Sequence, residues 1–253
     1  MKPQIRIFKN LEELSQDAAR LFVDQAARSI DERGRFLVAL NGGSTPKRLF
    51  QLLGSDFRER VDWDRTHIFW GDERLVSTSD PENSYAQARD LFLRHVSIPE
   101  RNVHRVKTEL APPEAAKAYA NTLQKFADPG LRRIRFDLIY LGMGEDGHTA
   151  SLFPGSAIDV DEPVIPVTGD YQGRPAQRVT LTPPVINHAH VVAFMVTGEK
   201  KAETLVQVLS GRYEPEKYPA QRIEPKNGKL IWLVDEDAAS KLPMDLVRKF
   251  CEG

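Results

Sequence analysis

The sequence predicts an α/β fold built on a largely parallel β-sheet with helices on both faces. Short apolar runs alternate with longer amphipathic segments, which is the pattern of consecutive βαβ units. Several of the apolar runs are continuous, as in strands that are buried on both faces. Glycine-rich turns follow some of these runs, such as Asn41-Gly42-Gly43 and Gly142-Met143-Gly144.

The first half of the chain carries three predicted strand–helix pairs. The strands lie at 5–8, 36–40 and 67–70, and the helices at 11–32, 46–53 and 83–95. Apolar residues recur at helical spacing in the first helix; they are Leu14, Ala18, Leu21, Phe22, Ala26 and Ile30. Pro46 suits the first turn of the second helix, and Ser44 or Thr45 is the expected cap.

The second half continues the alternation. A short strand is expected at 103–106, further strands at 136–141, 191–196 and 230–234, and helices at 112–126 and 200–209. The segment 211–228 is rich in proline and charge. Since only about 25 residues follow it, we interpret it as a surface loop and not as a linker. We therefore expect a single domain over residues 1–253.

Composition excludes several function classes. The net charge is −1 and no run of lysine or arginine is present, so neither nucleic acid nor a membrane surface is an expected partner. A single cysteine, Cys251, excludes an intrachain disulfide. No apolar signal core and no stretch of roughly 18 apolar residues is found. We expect a cytoplasmic protein, a monomer or small homo-oligomer.

Ligands of open parallel sheets bind outside the carboxyl ends of the strands, and four such places carry polar residues. The first is Asn41–Pro46, where glycines and a helix N-terminus with Ser44 and Thr45 would suit a phosphate. An ordinary strand–helix turn with a cap is the alternative. The segment matches neither G-x-x-x-x-G-K-[ST] nor G-x-G-x-x-G, so no nucleotide fingerprint is present.

The second place is Trp70-Gly71-Asp72-Glu73-Arg74. Two carboxylates and a guanidinium at a strand end would orient hydroxyl groups and pair with an anion. Taken alone, a solvated turn with a surface ion pair explains this segment better.

The third place is the glycine-rich loop Gly142–Thr149, which carries Asp146 and His148 two residues apart. Histidine takes up a proton near neutral pH, and a neighbouring carboxylate fixes its tautomer. Backbone amides of the glycine-rich turn would meet a developing oxyanion. A histidine bonded only to its own turn is the alternative, but the glycine density at a strand end favours a functional site.

The fourth place combines Arg178-Val179-Thr180 with Gly198-Glu199-Lys200-Lys201. Arginine offers a planar fork to phosphate and lysine a mobile point charge, whereas surface solubilisation is the alternative. No Gly-x-Ser-x-Gly elbow and no His-Glu-x-x-His or Cys-x-x-Cys motif occurs, so neither that type of serine hydrolase nor a metal site is expected.

Together these segments resemble the 6-phosphogluconolactonase family, within the wider fold family that holds glucosamine-6-phosphate deaminase. The matching pieces are LNGGSTP (40–46), FWGDERLV (69–76), SDPENSY (79–85), DLIYLGMGEDGHTASLFP (137–154), RVTLTPPVIN (178–187) and TGEKKAETL (197–205). They cover most of residues 35–210. The resemblance implies a Rossmann-like domain of the glucosamine-6-phosphate deaminase/ribose-5-phosphate isomerase/CoA-transferase-like type, without a nucleotide or other cofactor.

The resemblance also implies an activity and a site. The expected reaction is hydrolysis of a small sugar-phosphate lactone, 6-phosphoglucono-1,5-lactone, in the pentose phosphate pathway. His148 would activate water with the support of Asp146. The implied substrate-binding residues are Gly43, Ser44, Thr45, Asp72, Arg74, Gly144, Arg178 and Lys201. Lys201 is preferred to Lys200 because the lysine of the family precedes an alanine.

Two alternatives stay open on the same fold. Glucosamine-6-phosphate deaminases carry a glutamate five residues after the histidine and Asp-Glu-Tyr in the second segment, where this chain has Phe153 and Asp72-Glu73-Arg74. Both differences disfavour deamination. A non-catalytic sugar-phosphate sensor would keep the phosphate contacts and lose the base, and the presence of both His148 and Asp146 disfavours it.

Overall fold

Nine strands form two sheets in the part of the chain that the structure, a computed structural model, describes: residues 3–127, 130, 133–156, 160–169, 171–244 and 246. The strands are β1 (Gln4–Phe8), β2 (Phe36–Leu40), β3 (Thr66–Trp70), β4 (Asp72–Arg74), β5 (Leu138–Gly142), β6 (Val164–Thr168), β7 (Gln177–Leu181), β8 (Val191–Val196) and β9 (Lys229–Asp235). Six of them make a parallel sheet in the order β1-β9-β8-β5-β2-β3.

Seven α-helices accompany the strands within the described ranges. They are α1 (Leu11–Arg33), α2 (Pro46–Leu53), α3 (Ser84–Leu91), α4 (Pro112–Gln124), α5 (Pro183–Ile186), α6 (Ala202–Ser210) and α7 (Glu236–Ala239). Local sequence sets the ends of α1. The Asn10 side chain accepts a hydrogen bond from the Glu13 amide at 3.1 Å, and Gly34 ends the helix in the left-handed conformation at φ 76°.

The core lies in two apolar layers, one on each face of the parallel sheet. Along β2, Leu37 and Ala39 face the layer that contains α4, whereas Val38 and Leu40 face the layer that contains α1 and α2. The alternation follows from the two-residue period of a strand. Since both faces are covered, every residue of β2 is buried, which confirms the predicted α/β architecture.

The strand order creates a crevice where the winding of the sheet reverses. From β2 the chain continues to β3 on one side, while β5, β8 and β9 extend the sheet on the other. The carboxyl ends of β2 and β5 are therefore neighbours at a topological switch point, where open α/β sheets bind ligands.

A small antiparallel sheet of β4, β7 and β6 stands beside this crevice. The chain passes into it directly from β3 at Gly71, whose amide donates to Leu40 O at 2.7 Å and whose carbonyl accepts from Leu181 N at 2.8 Å. The register places Asp72 opposite Thr180 and Arg74 opposite Arg178. The sequence did not predict this sheet, because β4 has only three residues, all of them polar, and β6 contains Pro166.

Several local predictions were wrong. Residues 103–106 form no strand; only a single bridge joins Val103 to Ile68 at the edge beside β3. The predicted helix 83–95 ends at Leu91 and continues as a 3-10 turn, and 199–201 is also a 3-10 turn that precedes α6. Thr45 occupies the N-cap position of α2, as expected, but its side chain makes no capping hydrogen bond.

The described residues contain no helix with the length and apolar character needed to cross a bilayer. Cys251 lies outside the described residues.

Candidate active site

A cleft of about 250 Å³ opens at the carboxyl ends of β2 and β5, between the parallel sheet and the small sheet. Most of the sequence-predicted site residues line it: Gly43, Ser44, Thr45, Asp72, Arg74, Gly144, His148, Arg178 and Lys201. Asp146 is absent from the lining because it lies against His148, on the side of the ring that carries Nδ1.

His148 and Asp146 form a short, directed pair. Nδ1 of His148 lies 2.6 Å from Oδ1 of Asp146, and the His148 amide donates to the same oxygen at 3.1 Å. Burial raises the pKa of the Asp146 carboxyl, but the hydrogen bonds from His148 outweigh it and hold this pKa below its ordinary value. The ionised carboxylate thus fixes the proton of neutral His148 on Nδ1 and leaves a lone pair on Nε2.

The loop that holds this pair is closed by its own backbone. The Gly144 amide donates to His148 O at 2.8 Å, and Thr149 Oγ1 donates to Gly142 O at 2.8 Å. Gly144 has no room for a side chain, since a Cβ there would lie 2.1 Å from Nδ1 of His148 and 2.4 Å from Oδ1 of Asp146. Glycine is required at this position because the His148 and Asp146 side chains approach its Cα closely, and not because of an unusual backbone angle.

Two aromatic rings flank the imidazole. The ring centroid of Phe153 lies 4.8 Å from that of His148, and the ring centroid of Tyr171 lies 4.5 Å away in an edge-on arrangement. The Arg178 guanidinium stacks over the same Phe153 ring, with Cζ 5.2 Å from the ring centroid. The side chain of His148 is only 12% exposed, so these rings restrict both its orientation and its contact with water.

The small sheet supplies two buried arginines. Arg178 is 2% exposed; its Nε donates to Pro175 O at 3.0 Å, and its Nη2 has no hydrogen-bond partner among the described residues. Arg74 is 6% exposed and donates from Nη1 to Glu82 O at 2.8 Å. Because a buried donor without a partner is costly, an anionic ligand is the expected partner of Arg178.

Asp72 is held in place from a neighbouring loop. Ser151 Oγ donates to Asp72 Oδ2 at 2.7 Å, and the Ser151 amide donates to Thr180 Oγ1 at 3.2 Å. Both Asp72 and Ser151 are buried. The sequence favoured a solvated surface turn for this segment. That interpretation is wrong, because the hydrogen-bond network of Asp72 is buried.

Glu73 has a different role from its neighbours. Its carboxylate accepts from the amides of Arg74, Ser84 and Tyr85 at 2.8, 2.7 and 2.8 Å, at the start of α3, and it does not line the cleft. Burial raises the pKa of Glu73 to about 7 against these backbone donors. Glu73 therefore anchors α3 and does not face a ligand.

The turn after β2 and Lys201 also give the cleft features that suit an anion. Gly43 has φ 114°, a left-handed angle that favours glycine, and Thr45 Oγ1 lies 3.2 Å from Thr197 Oγ1. Lys201 lines the cleft, whereas Lys200 is exposed and does not. Burial lowers the pKa of Lys201, although the nearby carboxylates of Glu145 and Asp146 raise it.

Sequence reasoning missed three site residues. Tyr171 and Arg174 line the cleft from the hairpin between β6 and β7, and Ser151 supports Asp72. The two hairpin residues carried no sequence signal, because the small sheet was not predicted. Ser151 lies within the segment DLIYLGMGEDGHTASLFP (137–154), but no pattern in that segment indicates its contact with Asp72. The described residues contain no group of three or more His, Cys, Asp or Glu side chains arranged for a metal ion.

Comparisons with known proteins agree on one family. The family model described as "Glucosamine-6-phosphate isomerases/6-phosphogluconolactonase" matches residues 9–232. A Synechocystis protein named 6-phosphogluconolactonase is 40% identical over 245 residues, which cover 96% of this chain and 99% of the relative.

Solved structures show the same similarity. The devB protein superposes with a TM-score of 0.86 at 32% identity and covers 95% of this chain and 99% of its own. The 6-phosphogluconolactonase from Trypanosoma brucei superposes with a TM-score of 0.83 at 28% identity, over 96% of this chain and 99% of its own.

Proposed function

The chain belongs to the family of glucosamine-6-phosphate isomerases and 6-phosphogluconolactonases, and we infer that it hydrolyses 6-phosphoglucono-1,5-lactone to 6-phosphogluconate in the oxidative branch of the pentose phosphate pathway. The observation that carries this inference is the pair of His148 and Asp146 at the end of β5, joined at 2.6 Å and facing a cleft lined with cations.

We propose His148 as the general base. With its proton on Nδ1 and directed at Asp146, the imidazole accepts a proton at Nε2 from a water molecule that attacks C1 of the lactone. The C1 carbonyl becomes a tetrahedral oxyanion, which then re-forms a carbonyl as the bond from C1 to the ring oxygen breaks. The imidazolium returns its proton to the departing ring oxygen, so the enzyme is regenerated. A δ-lactone is a reactive ester and needs no enzyme nucleophile.

The phosphate of the substrate provides binding energy away from the reacting carbon. We propose that Arg178, Lys201 and the turn Gly43-Ser44-Thr45 hold it, while Asp72 and Arg74 contact the sugar and Gly144 lies beside the reacting group. Anchoring the distant phosphate orients C1 toward the base and converts binding energy into rate.

The deaminase alternative is disfavoured by the surroundings of the base. Phe153 occupies the place where deaminases carry a glutamate, and its ring packs against His148 at 4.8 Å. A second proton-shuttling carboxylate is therefore replaced by an apolar ring. A cytoplasmic location and a monomeric or small homo-oligomeric state remain proposals from the sequence.

One assay tests the function. Acid release from freshly made 6-phosphogluconolactone is measured in a pH-stat with the spontaneous rate subtracted, and ammonia release from glucosamine 6-phosphate is measured in parallel. We expect lactone hydrolysis well above background and no ammonia. Ammonia release without lactonase activity would replace the proposed function with deamination, and binding without turnover would favour the sensor.

A further inference from the structure

The hairpin between β6 and β7 directs two unassigned side chains into the cleft. Its backbone pairing continues beyond the strands, since the Gly169 amide donates to Ala176 O at 2.9 Å. At the tip, the Arg174 amide donates to Tyr171 O at 3.0 Å, and the two residues between have φ angles of 52° and 65°. Positive angles at both central positions define a type I′ turn, which suits a tight hairpin. Tyr171 and Arg174 therefore face each other across the turn, and both line the cleft.

The base of the hairpin is fitted closely to the catalytic loop. A Cβ at Gly169 would lie 2.3 Å from the ring of Phe153, which in turn packs on His148. Tyr171 packs edge-on against the same imidazole at 4.5 Å and accepts from the Glu145 amide at 3.4 Å. These contacts fix the position of the tip relative to His148, so Arg174 enters the cleft from a defined place.

Arg174 has a weak partner in this structure. Its Nη1 lies 3.7 Å from Glu82 Oε2, and Arg74 Nη1 lies 3.8 Å from the same oxygen. One carboxylate is thus shared between two guanidinium groups. The side chains of Arg174 and Glu82 are each 36% exposed, and long, partly exposed ion pairs contribute little. A phosphate, which binds a guanidinium in a fork of two charge-assisted hydrogen bonds, competes well with such a pair.

Arg174 also lies within electrostatic range of both proposed phosphate residues. Burial lowers the pKa of Arg178, against the opposing effect of Asp72, and repulsion from Arg174 lowers it further. Burial likewise lowers the pKa of Lys201. The carboxylates of Glu145 and Asp146 oppose this shift, and a smaller repulsion from Arg174 reinforces it. Arg174, Arg178 and Lys201 all line the same cleft, and Arg174 repels each of the other two cations.

Resting on the proposed function, we propose that Arg174 is a third ligand of the substrate phosphate, so that Arg174, Arg178 and Lys201 form one site for a phosphate monoester dianion. Arg174 is already partly balanced by the Glu82 carboxylate. Three cations therefore match the two charges of a phosphate dianion better than two cations do. Glu82 compensates Arg174 while the cleft is unliganded, and the phosphate takes over that compensation on binding.

The test compares Arg174→Gln with Arg212→Gln, an exposed arginine outside the cleft. The constants measured are KM and kcat for 6-phosphogluconolactone, the same constants for unphosphorylated glucono-1,5-lactone, and Kd for inorganic phosphate by calorimetry. Arg174→Gln should raise KM for the phosphorylated lactone and Kd for phosphate about 10-fold each, the lower end expected for a charge-assisted hydrogen bond. The unphosphorylated lactone should react unchanged. Arg174→Lys should recover part of the phosphate affinity, and Arg212→Gln should change nothing.

An unchanged phosphate Kd in Arg174→Gln overturns the proposal, as does an equal loss on both lactones, which would indicate a structural role. The two hypotheses fail separately. If the wild type does not hydrolyse the lactone but Arg174→Gln still weakens phosphate binding, the anion site stands and the proposed function is wrong. If the wild type hydrolyses the lactone and the variant binds phosphate normally, the function stands and the role of Arg174 is wrong.

Discussion

Gly144→Ala is the sharpest perturbation of the proposed base, because it changes neither His148 nor Asp146. The new methyl group would lie 2.1 Å from Nδ1 of His148 and 2.4 Å from Oδ1 of Asp146, whereas ordinary contact begins near 3.4 Å. The imidazole and the carboxylate must therefore be displaced by about 1 Å relative to the loop backbone. The hydrogen bond of 2.6 Å between the two side chains cannot survive such a shift.

A displacement of about 1 Å in an active site costs roughly 10²-fold in rate. We therefore expect kcat on 6-phosphogluconolactone to fall about 10²-fold, with Kd for inorganic phosphate changed less than about 3-fold, since the phosphate residues lie elsewhere in the cleft. The assay subtracts spontaneous hydrolysis, and circular dichroism checks folding.

The matched control is Gly71→Ala, in which a Cβ would meet Leu40 O at 3.6 Å and Leu141 Cδ2 at 3.7 Å, both ordinary contacts. The control should retain most of the wild-type kcat. A folded Gly144→Ala enzyme with near-normal kcat would refute the argument, because catalysis would then not depend on the geometry of the pair.

Further predictions address the same site and the stability of the fold. His148→Asn should lower kcat by about 10²-fold or more with little change in substrate affinity, and Asp146→Asn should lower it less; a normal kcat in the first variant would mean that water is activated elsewhere. Arg178→Ala and Lys201→Ala should each weaken the phosphorylated lactone about 10- to 150-fold and the unphosphorylated one far less; equal losses would contradict the assignment. Dialysis against EDTA should leave the rate unchanged, and a loss restored by one divalent ion would reject a metal-free mechanism. Burial lowers the pKa of His104 to about 4 in the folded protein. As the pH falls, this histidine is therefore protonated first in the unfolded chain. The contribution of neutral His104 to stability is complete above pH 6.5 and is lost as the pH falls toward 4. Between pH 7 and 4.5, urea unfolding should show a loss of stability that is smaller in His104→Asn than in the wild type by on the order of 1–2 kcal/mol after solvent screening. The variant keeps the part due to His190, whose pKa burial also lowers to about 4; identical pH profiles would contradict the prediction.

Much of the main sheet could be predicted, because its strands coincide with short, continuous runs of apolar residues in the sequence. Phe36–Leu40 is a continuous apolar run, and such a run is typical of a strand covered on both faces. The long period-3.6 pattern of α1, with Asn10 and Gly34 at its ends, similarly indicates its own boundaries. The glycine loop after β5 was predicted as the site because strand ends collect ligand-binding residues.

The small sheet and its consequences could not be predicted in this way. β4 has three residues, and its polar sequence Asp72-Glu73-Arg74 reads as a solvated turn. This segment is buried through pairing with β7, which is about a hundred residues away in the chain, and through contacts with Ser151 and the start of α3. Local propensity carries no information about that partner, so the sequence favoured the wrong environment for Asp72 and Arg74.

The sequence by itself determined the α/β class, the succession of the main strands and helices, and the chemical groups of the site, because each depends on periodicity, turn residues or short motifs within one segment. Tertiary structure decided which of these groups act together. It separated Glu73, which anchors α3, from Asp72, which enters the cleft, and it brought Tyr171 and Arg174 to the same cleft as His148. Neighbouring residues of a strand point to opposite faces, and residues far apart in the chain meet only when the sheets assemble.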